Sequence, residues 1–381
     1  MNLFTYIKIK LRQKQLRLFI PEKIYASVGR ECNIYFNNII TSINPEKYFF
    51  EVECNLGRTD SDRFRVTPTE ENIGDHSLIL KIYDDSGLIA QQKLTLTVAP
   101  EISSEKRFSL LLIGDSQTVA EGYPDRLHAL FKTEKNISCR MVGTNAANYT
   151  VPVENGAVHE GYGGWGWRTF FQKYGIEEND TNDGLHPRNP SARNSRFLFP
   201  DGDGFKFDFA QYCQKYNSGK FPDYIIIMLG TNDVFCCKSD REVDTEWKNN
   251  IYPYMKKMIA EFRRCNPSVK IAFNTVTTGA ASQDAFGKSY QTSYNMRRWR
   301  LNLYRYHLKL QRAAKKFNID LVPVHTAIDC KNGFPFEEEN LNMNNDKKVL
   351  RLCNGVHPSR TGYNQIADCI FAYIKNKLSS E

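Results

Sequence analysis

Arg107-Phe-Ser-Leu-Leu-Leu-Ile-Gly-Asp-Ser-Gln-Thr-Val119 is a short apolar run that ends abruptly in Gly114-Asp115-Ser116. Leu110 to Ile113 is too short for a typical helix and is bounded by a glycine, so it reads as a strand buried on both faces of a parallel sheet. In open parallel sheets ligands collect at the carboxyl ends of the strands, which is where Ser116 stands. Gly114 allows a sharp turn, and the helical stretch Pro124 to Phe131 can aim its N-terminal amides at negative charge forming near the hydroxyl.

Gly-Asp-Ser after a strand is, on its own, no more than a turn. Three further stretches follow in order: Glu160-Gly-Tyr-Gly-Gly-Trp165, Leu229-Gly-Thr-Asn-Asp233 after the apolar run Tyr224 to Met228, and Asn354-Gly-Val-His-Pro358 before the last helical pattern. As a set they resemble the four blocks of the SGNH (GDSL-type) hydrolases, which supply a serine, a glycine, an asparagine and a histidine. The resemblance covers residues 106 to 378. It implies a flavodoxin-like three-layer α/β/α fold with a five-stranded parallel sheet, and a serine esterase activity.

The pattern along the chain agrees with that fold. After the linker Ala99-Pro-Glu-Ile-Ser-Ser-Glu105, strand candidates (109–113, 138–142, 224–229, 270–276, 320–324) alternate with helix candidates (124–131, 242–264, 299–317, 363–377), as in α/β layered sheets. Before the linker only strands are legible. Leu78, Leu80 and Ile82 alternate with Ser77, Ile79 and Lys81, Asp84-Asp-Ser-Gly87 turns, and Leu94, Leu96 and Val98 alternate with Thr95 and Thr97. Shorter candidates at 24–28, 33–36, 48–54 and 63–67 close a small antiparallel sandwich, Ig-like or jelly-roll-like. The expected division is therefore residues 1–103 and 104–381, the first a structural support for its neighbour.

Composition narrows the class. A chain of 381 residues, 41% hydrophobic and 25% charged, is ordinary for a folded protein. Its net charge of +8 comes with no nucleic-acid motif, and no apolar run reaches membrane-spanning length. The ten cysteines are scattered without a Cys-x-x-Cys pair, and Met1 to Lys10 lacks a signal-peptide pattern, so a reduced, cytoplasmic protein without metal or organic cofactor is expected, or an extracellular one if a signal was removed, with its oligomeric state open. The cations of helix 299–317, Arg300, Arg305, Lys309, Arg312, Lys315 and Lys316, read as a solvated face beside a stripe of Leu301, Tyr304, Leu308 and Gln311. The irregular segment 166–222, with Asn189-Pro190 and Phe205-Lys-Phe-Asp-Phe209, is a candidate substrate-shaping lid or else a variable surface insertion.

Acyl transfer needs a nucleophile, a base and donors for the oxyanion. Ser116 is the candidate nucleophile and His357, with its backbone fixed by Pro358, the candidate base. The resemblance assigns the oxyanion hole to the amides of Ser116 and Gly161 and to the Asn232 side chain, with Gly163 as the alternative glycine. Gly163 and Trp165 are assigned to substrate contact; Trp165 and Trp167 offer faces for a sugar ring or belong to the core. Asp115 and Asp233 read as backbone-pinning residues. The family commonly has an aspartate three residues before the histidine, where this chain has Asn354. The reading is a Ser–His dyad with His357 oriented by Asn354 or a backbone oxygen, Asp329 and Asp346 being the nearby carboxylates. The second block, Glu-Gly-x-Gly-Gly-Trp, resembles carbohydrate esterases more than lipases. The expected substrate is thus a small acyl ester, acetyl, of a carbohydrate or other polar alcohol; the alternatives are a lipid or thioester hydrolase and a weak or silent glycan-binding scaffold.

Overall fold

The structure is a computed structural model that describes residues 16–120, 122–172, 195–291 and 294–380. Two compact units emerge. One gathers the chain up to Ser104 with Thr277–Gln311 and the residues from Leu321 onward; the other gathers Glu105–Val276 and Arg312–Asp320.

The second unit is built on a parallel sheet. Strand β8 (Lys106–Gly114) lies at its centre, flanked on one edge by β9 (Ile137–Val142) and the two-residue β10 (Glu160–Gly161), and on the other by β13 (Tyr224–Met228) and then β14 (Lys270–Asn274). All these pairings are parallel. Burial of every residue of β13, and of Phe108 to Gly114 in β8, is what an apolar run covered on both faces requires. The helices Tyr123–Thr133 and Tyr252–Cys265 bury an apolar stripe each. The 242–264 helix of the sequence reading is broken: Asp240–Glu246 passes through a π-helical turn at Trp247–Ile251 before Tyr252-Pro253 restarts it. Proline offers no N–H to the turn before it, which forces that restart. A short hairpin, β11 (Leu198–Asp201) and β12 (Gly204–Phe207), lies in the segment read as a lid, whereas Asn189-Pro190 falls outside the described residues.

In the first unit a four-stranded sheet runs β1 (Lys23–Ser27), β7 (Gly87–Ala99), β6 (Gly74–Asp84), β3 (Phe49–Glu53), and a three-stranded one runs β2 (Cys32–Tyr35), β5 (Arg63–Val66), β4 (Arg58–Thr59). One core takes Leu78, Leu80, Ile82, Leu94 and Leu96 from the first sheet and Ile34, Phe64 and Val66 from the second, as in a sandwich. The pair β1/β7 is parallel, the others antiparallel.

This unit does not end at residue 103. The last helix, Arg360–Ser379, lies on β1 and β7: Asn376 Nδ2 donates to the carbonyls of Ala26 (3.2 Å) and Thr97 (3.4 Å), and Tyr373 meets Tyr25 edge-on at 5.2 Å. Arg300, expected on a solvated face, is buried here. Its guanidinium donates to the Asn37 carbonyl (3.0 Å), Asn37 Oδ1 (2.7 Å) and the Ser42 carbonyl (3.2 Å). The buried stripe of its helix, Met296–Phe317, runs through Trp299, Leu303, Tyr306 and Leu310, one to two positions behind the stripe read from sequence, and that phase carries Arg300 inward. A second unanticipated element is the hairpin of β16 (Phe336–Asn342) and β17 (Asn345–Leu352), exposed nearly throughout, with Met343 fully exposed at its tip.

Candidate active site

Register brings three of the sequence blocks to one edge of the sheet. Gly114, the last residue of β8, pairs with Gly161 of β10 on one side and with Met228 of β13 on the other. Ser116 follows Gly114 by two residues and opens the one-turn helix Ser116–Val119; Asn232 follows Met228 by four and lies in the turn Thr231–Val234. The close approach of β10 depends on glycine, since a Cβ at Gly161 would stand 2.8 Å from Thr118 Cβ and 2.9 Å from the Val119 nitrogen. Ser116 and Asn232 are both half-buried.

Asp115 is fully buried and caps the Ser116 helix, its Oδ1 accepting the Gln117 N–H at 2.9 Å. Burial pushes its carboxyl up to about 6. Asp233 accepts the Trp167 N–H at 3.1 Å, and its Oδ2 is buried with no hydrogen-bond partner among the described residues. Burial, with the nearby Asp115 charge adding to it, pushes Asp233 up to about 7. Both are pins of backbone, as read from the sequence. Asn232 is oriented in turn, because its Nδ2 donates to the Trp165 carbonyl at 2.9 Å and leaves its second N–H available.

The glycine-rich loop differs from its reading at two points. The Gly161 N–H donates to Nδ1 of the buried His159 at 3.0 Å, so it is committed inside the protein rather than offered to an oxyanion. Burial holds His159 neutral, its pKa lowered to about 3. The Gly163 N–H donates to the Tyr149 hydroxyl at 2.6 Å. Gly164, which sequence reasoning passed over, is exposed with φ +80° and nothing within 4 Å of where a Cβ would stand. Trp165 and Trp167 are completely buried: Trp165 stacks on Tyr162 at 4.1 Å and Trp167 meets Phe273 edge-on at 5.7 Å. Their faces belong to the core and are not available to a sugar.

The loop is anchored by Glu160, a fully buried carboxylate that the sequence reading quoted without a role. It accepts from the Thr144 N–H (2.8 Å), the Thr144 hydroxyl (3.2 Å), the Tyr212 hydroxyl (2.8 Å) and the Tyr162 hydroxyl. Burial raises its pKa while these donors, with Arg196 nearby, pull it back.

His357 and Asn354 lie together in the other unit. Asn354 Oδ1 accepts the N–H groups of Val356 (3.0 Å) and His357 (2.9 Å), so both its lone pairs hold backbone. Asn354 therefore fixes the turn that carries the histidine; its oxygen is not left over to orient the ring. Asp329 is similarly spent, on the Lys331 and Asn332 amides and on Asn332 Nδ2, and Asp346 sits in the exposed hairpin within 3.5 Å of Asn340 Nδ2. The turn is locked from behind by the helix Gln283–Tyr290, whose Phe286 ring would lie 2.9 Å from a Cβ at Gly355, and by the Ala280 N–H donating to the Gly355 carbonyl at 3.0 Å. His357 is half-buried, which lowers its pKa below the ordinary 6.5. Among the described residues no cluster of three or more His, Cys, Asp or Glu suits a metal ion, and no helix is long and apolar enough to cross a membrane.

No curated protein matches the chain. Among solved structures it is similar to the family 3 carbohydrate esterase of Clostridium thermocellum (16% identity over 72% of this chain and 98% of that one, TM-score 0.39). It is similar also to a family 3 carbohydrate esterase from Talaromyces cellulolyticus (16%, 72% and 99%, 0.39) and to phospholipase A1 from Streptomyces albidoflavus NA297 (10%, 69% and 98%, 0.37). Likenesses this distant say nothing of substrate. The family model for GDSL-like lipases and acylhydrolases matches residues 110–370, well over half the length, so the chain belongs to that family and is a hydrolase of carboxylic esters.

Proposed function

We propose that the chain is a serine esterase that releases a small acyl group, acetyl, from a carbohydrate or similar polar alcohol. The observation that carries this reading is the register at Gly114, which sets the residue two positions before Ser116 between the glycine-rich loop and the strand leading to Asn232. Ser116 Oγ attacks the acyl carbon, His357 takes its proton and returns it to the departing alcohol, and water then hydrolyses the acyl-enzyme with His357 as base again. The oxyanion is met by the Ser116 amide, the second N–H of Asn232 and the amide of Gly164, uncharged donors that need no reorganisation during reaction.

The test is labelling by a fluorophosphonate together with hydrolysis of aryl esters of increasing chain length. Labelling lost in Ser116→Ala and a preference for acetate over dodecanoate are expected. Folded protein that takes no label sinks the serine mechanism in favour of a silent scaffold, and a preference for long chains sinks the deacetylase in favour of a lipid hydrolase.

A further inference from the structure

A cleft of about 740 Å³ opens in the first unit between the helix Gln283–Tyr290 and the hairpin β16–β17. That volume lies within the range of roughly 300–1,000 Å³ usual for small-molecule sites. Its walls are the same two elements that hold the His357 turn. Phe286 of the helix backs Gly355, the Ser289 hydroxyl donates to the Cys353 carbonyl at 2.9 Å, and β17 runs directly into Cys353 and Asn354. A ligand lying in the cleft is therefore one short step of chain from the proposed base.

Every acid lining the cleft has a cation. Lys288 meets Glu337 at 3.1 Å, and Arg351 spans Asp284 at 3.2 Å and Glu339 at 2.6 Å. Three carboxylates share two cations, so the lining disfavours a polyanion, and five charged side chains make the walls hostile to an acyl tail. With Gln283 spent on the Tyr294 carbonyl and the Met296 N–H, and Asn295 Oδ1 on the Arg298 N–H, the lining presents carboxylate oxygens and guanidinium N–H groups, the Gln291 amide, Nδ2 of Asn295 and the phenol of Tyr294. These are partners for hydroxyl groups that both donate and accept, with one ring for the apolar face of a pyranose.

We infer that this cleft is the subsite for a neutral oligosaccharide chain whose acetylated unit lies toward His357, and that the hairpin β16–β17 is the wall that sets this specificity. The inference rests on the esterase reading above. It is tested by kcat/KM on a partly acetylated neutral oligosaccharide, on an acetylated polyuronate and on 4-nitrophenyl acetate. In Tyr294→Ala the ratio of neutral oligosaccharide to aryl acetate should fall at least tenfold, through KM. In Glu337→Gln/Glu339→Gln, which leaves Lys288 and Arg351 in excess, the ratio of polyuronate to neutral substrate should rise at least fivefold. Should Tyr294→Ala fail to fold, as judged by its melting curve, Gln291→Ala is read in the same way. Ratios that stay within twofold of the parent in folded variants overturn the subsite. A parent protein that cleaves neither aryl acetate nor acetylated sugar overturns the esterase reading instead, and one that cleaves aryl acetate without favouring the neutral oligosaccharide overturns the subsite alone.

Discussion

Around Ser116 the backbone is held by carboxyl groups: Asp115 on the Gln117 amide, Asp233 on the Trp167 amide, and Glu160 beneath the glycine-rich loop on two tyrosine hydroxyls and Thr144. Around His357 the same task falls to uncharged groups, the Asn354 carboxamide on two amides and the Phe286 ring against Gly355. The first arrangement buries groups whose protonation changes with pH, and its bonds are charge-assisted only while those groups are ionised. The second is indifferent to pH. The nucleophile's surroundings should therefore register acid and alkali through stability, and the histidine's through its own titration only.

Four substitutions probe that contrast. Asn232→Ala removes an oxyanion donor whose orientation depends on the Trp165 carbonyl, and should lower kcat on aryl acetate by about 100- to 1000-fold with the melting temperature little changed. An effect under tenfold would take Asn232 out of the oxyanion hole. Glu160→Gln gives an amide to tyrosine hydroxyls that now donate to a carboxylate, and should cost about 1–3 kcal/mol in denaturant unfolding.

Asp233→Asn should act through pH. The folded state keeps a proton on Asp233 up to about 7, while the unfolded chain gives it up near 4, so native stability is full below about pH 4 and falls as pH rises toward 7. The variant keeps the Oδ1 acceptor for Trp167 and loses that decline. Its gain in melting temperature should grow from pH 4 to 7 and level off above, whereas a gain independent of pH would show Asp233 ionised throughout. The smallest effect concerns the base. Burial lowers the His357 pKa, so the acid limb of kcat/KM should lie below 6.5; Asn354→Asp, which places a negative charge on the neutral side, should move that limb up by roughly one unit. A limb that stays put would show the 354 side chain to be too remote from the ring to sense it.

The sequence carried the sheet because its strands are apolar runs with few competing interpretations, and Tyr224–Met228 is buried at every residue. It did not carry the hairpin β16–β17, since Glu337-Glu-Glu-Asn and Asn345-Asp-Lys-Lys are poor strand formers. Pairing supplies what propensity lacks, with Glu337 opposite Arg351 and Asn340 opposite Lys348 across the ladder. The four blocks were legible as motifs, yet motif spelling does not say which glycine N–H is already spent. His159 and Tyr149 settle that from positions outside the Gly161–Gly164 run. The missing aspartate was equally visible, but the two backbone bonds that occupy Asn354 are tertiary facts. Arg300 failed for a simpler reason: a helix face can be assigned only when its phase is known, and an error of one to two residues turns a buried guanidinium into a solvated one.

The helix Arg360–Ser379 closes on strands laid down more than 260 residues earlier in the chain. During synthesis the N-terminal sandwich emerges first, and Tyr25 and its neighbours must wait for the final twenty residues before their covering helix exists. A nascent chain in that condition leaves Tyr25 without the ring of Tyr373 against it for most of its translation. It follows that neither half produced separately at the 103/104 boundary would be whole: the first would lack its lid of helix, and the second would carry that helix with nothing beneath it.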